Sequence, residues 1–323
     1  MKKVVVTGAT GFLGSHLIAE LINAGFDVDA VCRKIPEKSN GTQINFRIGD
    51  IEDPYSLKET FFNAEIVIHA AALVSADPLD DQRMFKTNVE GTKNVVDSCL
   101  SAGVRRLIYV SSVAALGGEE SKNLIDEQTG WKGPKKGYGY TKYKGGLEVC
   151  RGEAEGLEIA IIYPSVILGP GNADRSSGKI FKLIKSGFPF APAGMVNAVD
   201  ARDVAAIVTR LATGEKSGLS LILNGFSISW KDLFSRVAKA QGRSGKFITV
   251  SGKVASVFVW CYEKFCRVIG RRPFITVNAV KMACKKNRYD TRKATQELGF
   301  AFRSADQTLD WVSNTENQEL SQI

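Results

Sequence analysis

Histidine is almost missing from this 323-residue chain, which has two, and its six cysteines (Cys32, Cys99, Cys150, Cys261, Cys266 and Cys284) include no CxxC pair. A zinc cage needs several such ligands at close spacing, and a disulfide framework needs matched thiols in a small secreted chain, so neither is indicated. No apolar run reaches the roughly 18 to 20 residues that span a bilayer. The opening MKKVVVTGATG meets glycine after three valines, where a signal peptide would continue its apolar core. The sequence therefore reads as cytoplasmic, without a transmembrane segment. Internal repeats, low-complexity tracts and recognised nucleic-acid motifs are missing too, so the formal charge of +9 is assigned to an anionic small ligand instead of nucleic acid.

What is present is an ordinary globular composition, 44% apolar and 24% charged, at a length that suggests two structural units. The first 165 residues alternate short β-branched runs with amphipathic stretches, the pattern of a parallel sheet covered by helices on both faces. Strands are expected at 4–7, 27–32, 45–48, 65–70, 106–111 and 158–163. A helix is expected at 12–24, where Leu13, Leu17, Leu21 and Ile18, Ile22 repeat at spacing four. After Pro164 glycine and proline punctuate residues 169–194 and the periodic segments become irregular. A strand at 219–225 and a helix at 201–212 are read as returning to the first unit. The expected fold is α/β, a Rossmann-type doubly wound parallel sheet with a smaller, mainly α C-terminal substrate lobe. Residues 1–165, completed by 198–225, would bind the dinucleotide, and 166–197 with 226–323 would form the lobe and C-terminal helices.

Residues 4–14 read VVVTGATGFLG, a short strand, three glycines spaced three apart, and a helix. Gly8 allows a tight turn, Gly11 lets a pyrophosphate approach the backbone, Gly14 lets helix and strand pack closely, and the helix N-terminus offers N–H groups to phosphate. Thr7, Gly8, Thr10, Gly11, Phe12, Leu13 and Gly14 are thus cofactor-site candidates. An acidic residue some 20 positions on, which would hold a ribose 2′-hydroxyl, is lacking; the second strand ends Cys32-Arg33-Lys34. Arg33 suits a 2′-phosphate, so NADP is preferred over NAD. Asp50, with Ile51 in IGDIED, is either a contact for the adenine edge or an N-cap ahead of Pro54.

Tyr138 and Lys142 stand four apart in GYGYTKYKGG, which on a helix puts both on one face. A free phenol has a pKa near 10; a neighbouring ammonium favours the phenolate and should lower that value, fitting tyrosine to exchange protons. Ser112 ends the fifth strand, where its hydroxyl could hold the same carbonyl oxygen. A second frame, Tyr140 with Lys144, has the same spacing.

Together with HAAALVS at 69–75, NVEGTKNVV at 88–96, YPSVILGPG at 163–171 and VDARDVA at 199–205, these motifs resemble the extended short-chain dehydrogenases/reductases. That family includes dihydroflavonol reductases, 3β-hydroxysteroid dehydrogenases and nucleotide-sugar epimerases. The likeness spans the first 225 residues and fades beyond them. It implies Tyr138 as acid/base, Lys142 on the nicotinamide ribose, Ser112 on the substrate oxygen, and Asn88 in a proton relay, although Asn88 holding two backbone segments together fits as well. It also implies Ala70, Ala71, Ala72, Pro164, Ser165 and Val166 along the cofactor. Thr141 ahead of Lys142 favours the Tyr138 frame. Gly145 and Gly146 stand where relatives carry alanine and glutamate, so the helix should be looser there. Asp200 and Asp203 are read as caps of the helix near 201.

Three activities fit. An NADP(H)-dependent oxidoreductase interconverting a ketone or aldehyde and an alcohol is favoured by Arg33 and PSVILGPG. A nucleotide-sugar epimerase or dehydratase would keep NAD tightly bound, and a cofactor-binding regulator would lack turnover. The partner is then a small carbonyl or alcohol substrate, and a homodimer is compatible with the reading. Residues 254–275 interleave aromatics with Lys264, Arg267, Arg271 and Arg272, as a pocket roof, an amphipathic helix packed on its own lobe, or a membrane-surface or dimer contact.

Overall fold

A computed structural model describes residues 2–37, 44–117, 124–171, 178–214, 216–240, 243 and 245–321. Of the glycine- and proline-punctuated stretch, residues 172–177 lie outside this set. The strands are β1 (Lys3–Thr7), β2 (Asp27–Cys32), β3 (Asn45–Ile48), β4 (Ile66–His69), β5 (Arg106–Val110), β6 (Glu158–Pro164), β7 (Val166–Leu168), β8 (Phe190–Pro192), β9 (Met195–Asp200), β10 (Leu219–Leu223), β11 (Phe226–Ser229) and β12 (Ile248–Val250). The helices are α1 (Phe12–Asn23), α2 (Pro54–Thr60), α3 (Asp81–Phe85), α4 (Gly91–Ala102), α5 (Gly137–Ala154), α6 (Gly178–Lys185), α7 (Ala201–Thr213), α8 (Trp230–Ala240), α9 (Gly252–Val268), α10 (Val277–Ala283), α11 (Arg292–Leu298) and α12 (Ala305–Ser321).

Seven strands form one parallel sheet in the order β10-β6-β5-β4-β1-β2-β3. Strand order reverses between β1 and β4, the place where open α/β sheets present a crevice beyond their carboxyl ends. The pleat explains why such strands read as unbroken apolar runs. Val4 and Val6 point to one face, with Leu17 and Leu21 of α1 and Val204 and Val208 of α7; Val5 points to the other, with Val95 and Val96 of α4 and Val149 of α5. Each such side chain contributes about 1.5 to 3 kcal/mol by leaving water. The expected strand ends shift by a residue, 65–70 shortening to Ile66–His69 and 106–111 to Arg106–Val110, while the strand expected at 219–225 is β10, which joins the sheet beside β6 as its seventh strand.

Beyond β6, the remaining strands build a three-stranded sheet, β11-β9-β7, and a two-stranded one, β12-β8. Leu168, Phe181, Val196, Trp230, Leu233 and Phe234 share a separate core there with Leu309 and Val312 of α12. Ala294 of α11 and Phe300 pack instead into the core beside β1. Asp200 caps α7 by accepting from the Arg202 amide at 2.8 Å, as expected. Asp203 does not cap: it is buried and receives the Arg303 amide (2.8 Å) and guanidinium, tying the segment after α11 to α7.

Helix α5 is continuous through Gly145 and Gly146. At Gly145 an added Cβ would stand 2.6 Å from the Asn88 carbonyl oxygen and 2.7 Å from the Tyr109 hydroxyl, so hydrogen there permits close approach. At Gly146 nothing lies within 4 Å. Gly146→Ala should therefore stabilise the fold by about 0.5 to 1 kcal/mol through helix propensity, and Gly145→Ala should destabilise it by about 1 to 3 kcal/mol through overpacking. Urea denaturation measures both; equal effects of the two substitutions would refute the packing account.

Candidate functional site

The crevice is built where strands end and glycines permit contact. Gly8 follows β1 with φ +72°, and a Cβ on it would lie 2.6 Å from the Ala71 amide nitrogen. A Cβ on Gly14 would lie 2.2 Å from the Gly8 carbonyl oxygen, so α1 is pressed onto the turn and the turn onto Ala70 and Ala71 of the loop after β4, in which Ala72 is exposed. Thr7 is buried, and its hydroxyl accepts from the Ala71 amide at 3.4 Å. Thr10 is exposed, and Phe12 and Leu13 are half-buried.

The first turn of α1 has Gly11 at its N-cap, no side chain capping it, and no acidic residue. Helices α2, α7, α9 and α10 all begin instead with a side-chain oxygen bonded to a backbone amide. An uncapped N-terminus beside a glycine-bounded turn suits a phosphate, whose charge its dipole and amides would hold. Across the crevice, the Ser165 hydroxyl is buried with no partner among the described residues, beside Pro164 at the end of β6 and the exposed Val166. These features fit a bound dinucleotide.

Arg33 leaves β2 exposed at the far end of the crevice, with Lys34 beside it and 3.8 Å from Glu37. Asp50 does not cap α2: Asp53 does, accepting from the Tyr55 amide at 3.1 Å, while Asp50 accepts from the Glu52 amide at 3.0 Å in its own turn. The carboxylate three residues nearer the proline has the geometry a cap needs. The Ile51 side chain is buried under α4, against Gly91, and the Asn94 side-chain amide holds its carbonyl at 2.9 Å.

Ser112 follows β5, and its hydroxyl accepts from the Ala114 amide at 3.2 Å. It lies beside the Tyr138 phenol, near enough to favour its anion. Burial pushes that phenol up to about 12, and the serine contact only partly offsets the rise. Lys142 lies one turn on, buried; its ammonium donates to the Val110 carbonyl at 2.8 Å and sits 4.2 Å from the Tyr109 ring centroid. Burial brings it down to about 7. The expected lowering of the phenol by the ammonium is thus absent from the chain alone, because desolvation acts on both groups and the ammonium is spent on a carbonyl and a ring face. Tyr140 of the second frame turns to Trp131, ring centroids 6.1 Å apart.

Asn88, buried in a single π turn over Lys86–Glu90, accepts from the Leu73 amide (2.7 Å) and donates to the Leu73 carbonyl (2.9 Å) and the Thr141 hydroxyl (3.0 Å). Thr141 donates in turn to the Tyr138 carbonyl at 2.8 Å. Of the two readings, holding backbone segments together accounts for each of these contacts. Sequence reasoning missed His69 altogether. One ring nitrogen lies 2.8 Å from the Thr7 hydroxyl and the other 3.0 Å from that of Thr92, which donates to the Asn88 carbonyl at 2.7 Å. The ring stacks on Tyr109 at 5.5 Å, and burial with the nearby Lys142 pulls its pKa down to about 3. The signal was the histidine opening HAAALVS directly after an apolar strand.

Residues 4–219 match the NAD dependent epimerase/dehydratase family. A Synechocystis protein assigned by name as a dihydroflavonol 4-reductase is 30% identical over 94% of this chain and 91% of its own. UDP-glucose 4-epimerase of Vibrio cholerae is 23% identical over 85% and 84%. Among solved structures, that of gox2253 is 28% identical and superposes with a TM-score of 0.80, covering 99% of both chains.

Because His69 is neutral when folded, the unfolded chain binds more protons between pH 6.5 and about 3, and stability should fall with acid in that window. Between pH 7 and pH 5 the loss is about 2 kcal/mol. His69→Gln should flatten the slope of urea-derived stability against pH by that amount; an unchanged slope would show the ring to be protonated in the fold.

Proposed function

The chain belongs to the NAD dependent epimerase/dehydratase family, an extended short-chain dehydrogenase/reductase, and within it we propose that it is an NADP(H)-dependent reductase interconverting a ketone or aldehyde and an alcohol. The observation that carries this reading is the Tyr138 phenol set beside the Ser112 hydroxyl, where α5 packs on the turn after β5, with Lys142 one turn along the same face. The dinucleotide, when bound, supplies hydride to the carbonyl carbon. Tyr138 gives its proton to the carbonyl oxygen, and Ser112 orients that oxygen and shares its developing charge. A phenol pushed up to about 12 is protonated at neutral pH, the form that reduction consumes. Lys142 would hold the nicotinamide ribose, and Asn88 acts as a positioning residue that fixes Thr141 and hence the Tyr138 backbone.

The pyrophosphate is assigned to Gly8, Gly11 and the first turn of α1, the adenine to the Asp50–Ile51 turn, and the 2′-phosphate to Arg33. Residues 1–165 with 198–225 are assigned to the dinucleotide and 166–197 with 226–323 to the substrate. The named relatives point to both reductases and epimerases. The cation after β2, in place of an acidic residue, favours the reductase.

Tyr138→Phe should lower kcat for NADPH-dependent carbonyl reduction by about 10²- to 10⁴-fold while NADPH affinity stays nearly unchanged, since only the proton donor is lost. Tyr140→Phe should retain activity; the reverse pattern would move the site to the second frame. A purified protein that retains NAD through gel filtration and reduces no carbonyl compound would support the epimerase instead.

Arg33→Asp should shift the ratio of NADPH to NADH dissociation constants toward NADH by about tenfold or more, as removal of one charged phosphate contact predicts. Calorimetric titration of both nucleotides measures it, and an unaltered ratio would take Arg33 out of the site.

A further inference from the structure

Helix α9 turns its apolar stripe away from the protein. Val254, Val257, Phe258, Phe265 and Val268 recur at helical spacing along one side, and Phe258 is 73%, Phe265 62% and Val268 85% exposed. On the opposite side only Cys266 is buried. The expectation of an amphipathic helix packed on its own lobe is thereby reversed: the lobe takes the narrow inner edge, and the large side chains face out. Ile269 and Phe274 continue the exposed surface beyond the helix, and Trp260 (53% exposed) and Tyr262 flank it.

The rim of this patch is cationic. Lys253, Lys264 and Arg271 are exposed and make no ion pair among the described residues, Lys264 lying 5.9 Å from the Trp260 ring centroid. The helix carries one acidic residue, Glu263, which is half-buried. Among the described residues no helix is long and apolar enough to cross a membrane. Apolar and aromatic side chains on the outer face, cations at the rim and a length short of spanning are the properties of a helix lying in a lipid headgroup region.

We propose that α9 docks the protein onto an anionic lipid surface, the stripe of Val257, Phe258, Phe265 and Val268 entering the acyl boundary while Lys253, Lys264 and Arg271 meet lipid phosphates. Charge selects this occupant over a second copy of the chain. In a twofold contact the same cations would face each other across a dry apolar seam, which repels, whereas anionic headgroups neutralise them. The inference is independent of the reaction assigned to the crevice.

Sedimentation of the full chain with vesicles tests it. Vesicles of phosphatidylcholine mixed equally with phosphatidylglycerol should pellet the protein at low salt, and phosphatidylcholine alone should pellet at least about tenfold less. Phe258→Ser with Phe265→Ser should abolish pelleting, and Lys253→Glu with Lys264→Glu and Arg271→Glu should reduce it about tenfold or more, each with unchanged circular dichroism and dinucleotide affinity. Polar and acidic substitutions on an exposed face leave the core intact, so both variants should fold. No pelleting with either vesicle overturns the proposal. So does a dimer, seen by analytical ultracentrifugation, that the Phe258→Ser, Phe265→Ser chain fails to form, because the patch would then be a contact between copies.

Discussion

The site depends on a line of hydrogen bonds that has no access to water. It runs from Thr7 beneath the glycine turn through His69, Thr92 and the Asn88 carbonyl, then from the Asn88 side chain through Thr141 to the Tyr138 backbone. Thr7, His69, Asn88, Thr92 and Thr141 are all buried. Leaving any of these polar groups unpaired in such a place costs about 1 to 3 kcal/mol, so the line is favoured whole or not at all. Its ends are the two halves of the crevice, the turn that suits phosphate and the helix that bears the phenol. Their separation is therefore set by a rigid interior and not by the loops that face solvent.

How far this was legible in the sequence follows from the range of each interaction. The β1 turn and α1 are local: Gly8, Gly11 and Gly14 act on neighbours within a few residues, and strand and helix have their own periods. Ser112, Tyr138 and Lys142 were legible because spacing and strand ends put them near one sheet edge. His69 was not, because what gives it meaning, Thr7 and Thr92, stands 62 and 23 residues away. The packing role of Gly145 was hidden for the same reason, since the obstacle to a side chain there is the Asn88 carbonyl in another helical segment. Asp50 was a confusion of near neighbours, two carboxylates three residues apart competing for one cap, which only the backbone angles of Asp53 decide.

The titration of the site was the least legible part. Spacing alone makes tyrosine and lysine a charge pair, and pairing lowers the phenol. Burial works against both charged forms, and in the chain by itself it prevails, with Tyr138 near 12 and Lys142 near 7. A neutral phenol above a poorly solvated amine is poised to give a proton. To take one up, it needs negative charge on the phenol to be offset, and the nearby groups, the Ser112 hydroxyl and Lys142, are the means the chain itself offers.

The loop between β4 and α3 links this interior to the surface. On its inner side Asn88 holds both polar groups of the Leu73 backbone. On its outer side Arg267 pairs with Asp77 at 3.2 Å and Arg272 with Asp80 at 3.1 Å, and Thr276 donates to the Ala76 carbonyl at 3.1 Å. The two attachments differ in strength. Removing the Asn88 side chain leaves two partly buried backbone groups unpaired, up to about 1 to 3 kcal/mol each, whereas ion pairs with a partly exposed arginine contribute about 0 to 1 kcal/mol each and weaken with salt. The segment from α9 to α10 is thus tethered to the loop more loosely than the loop is fixed to the site. An apolar helix can then be drawn toward a surface while the phenol and the glycine turn keep their distance, because the weaker attachment yields first.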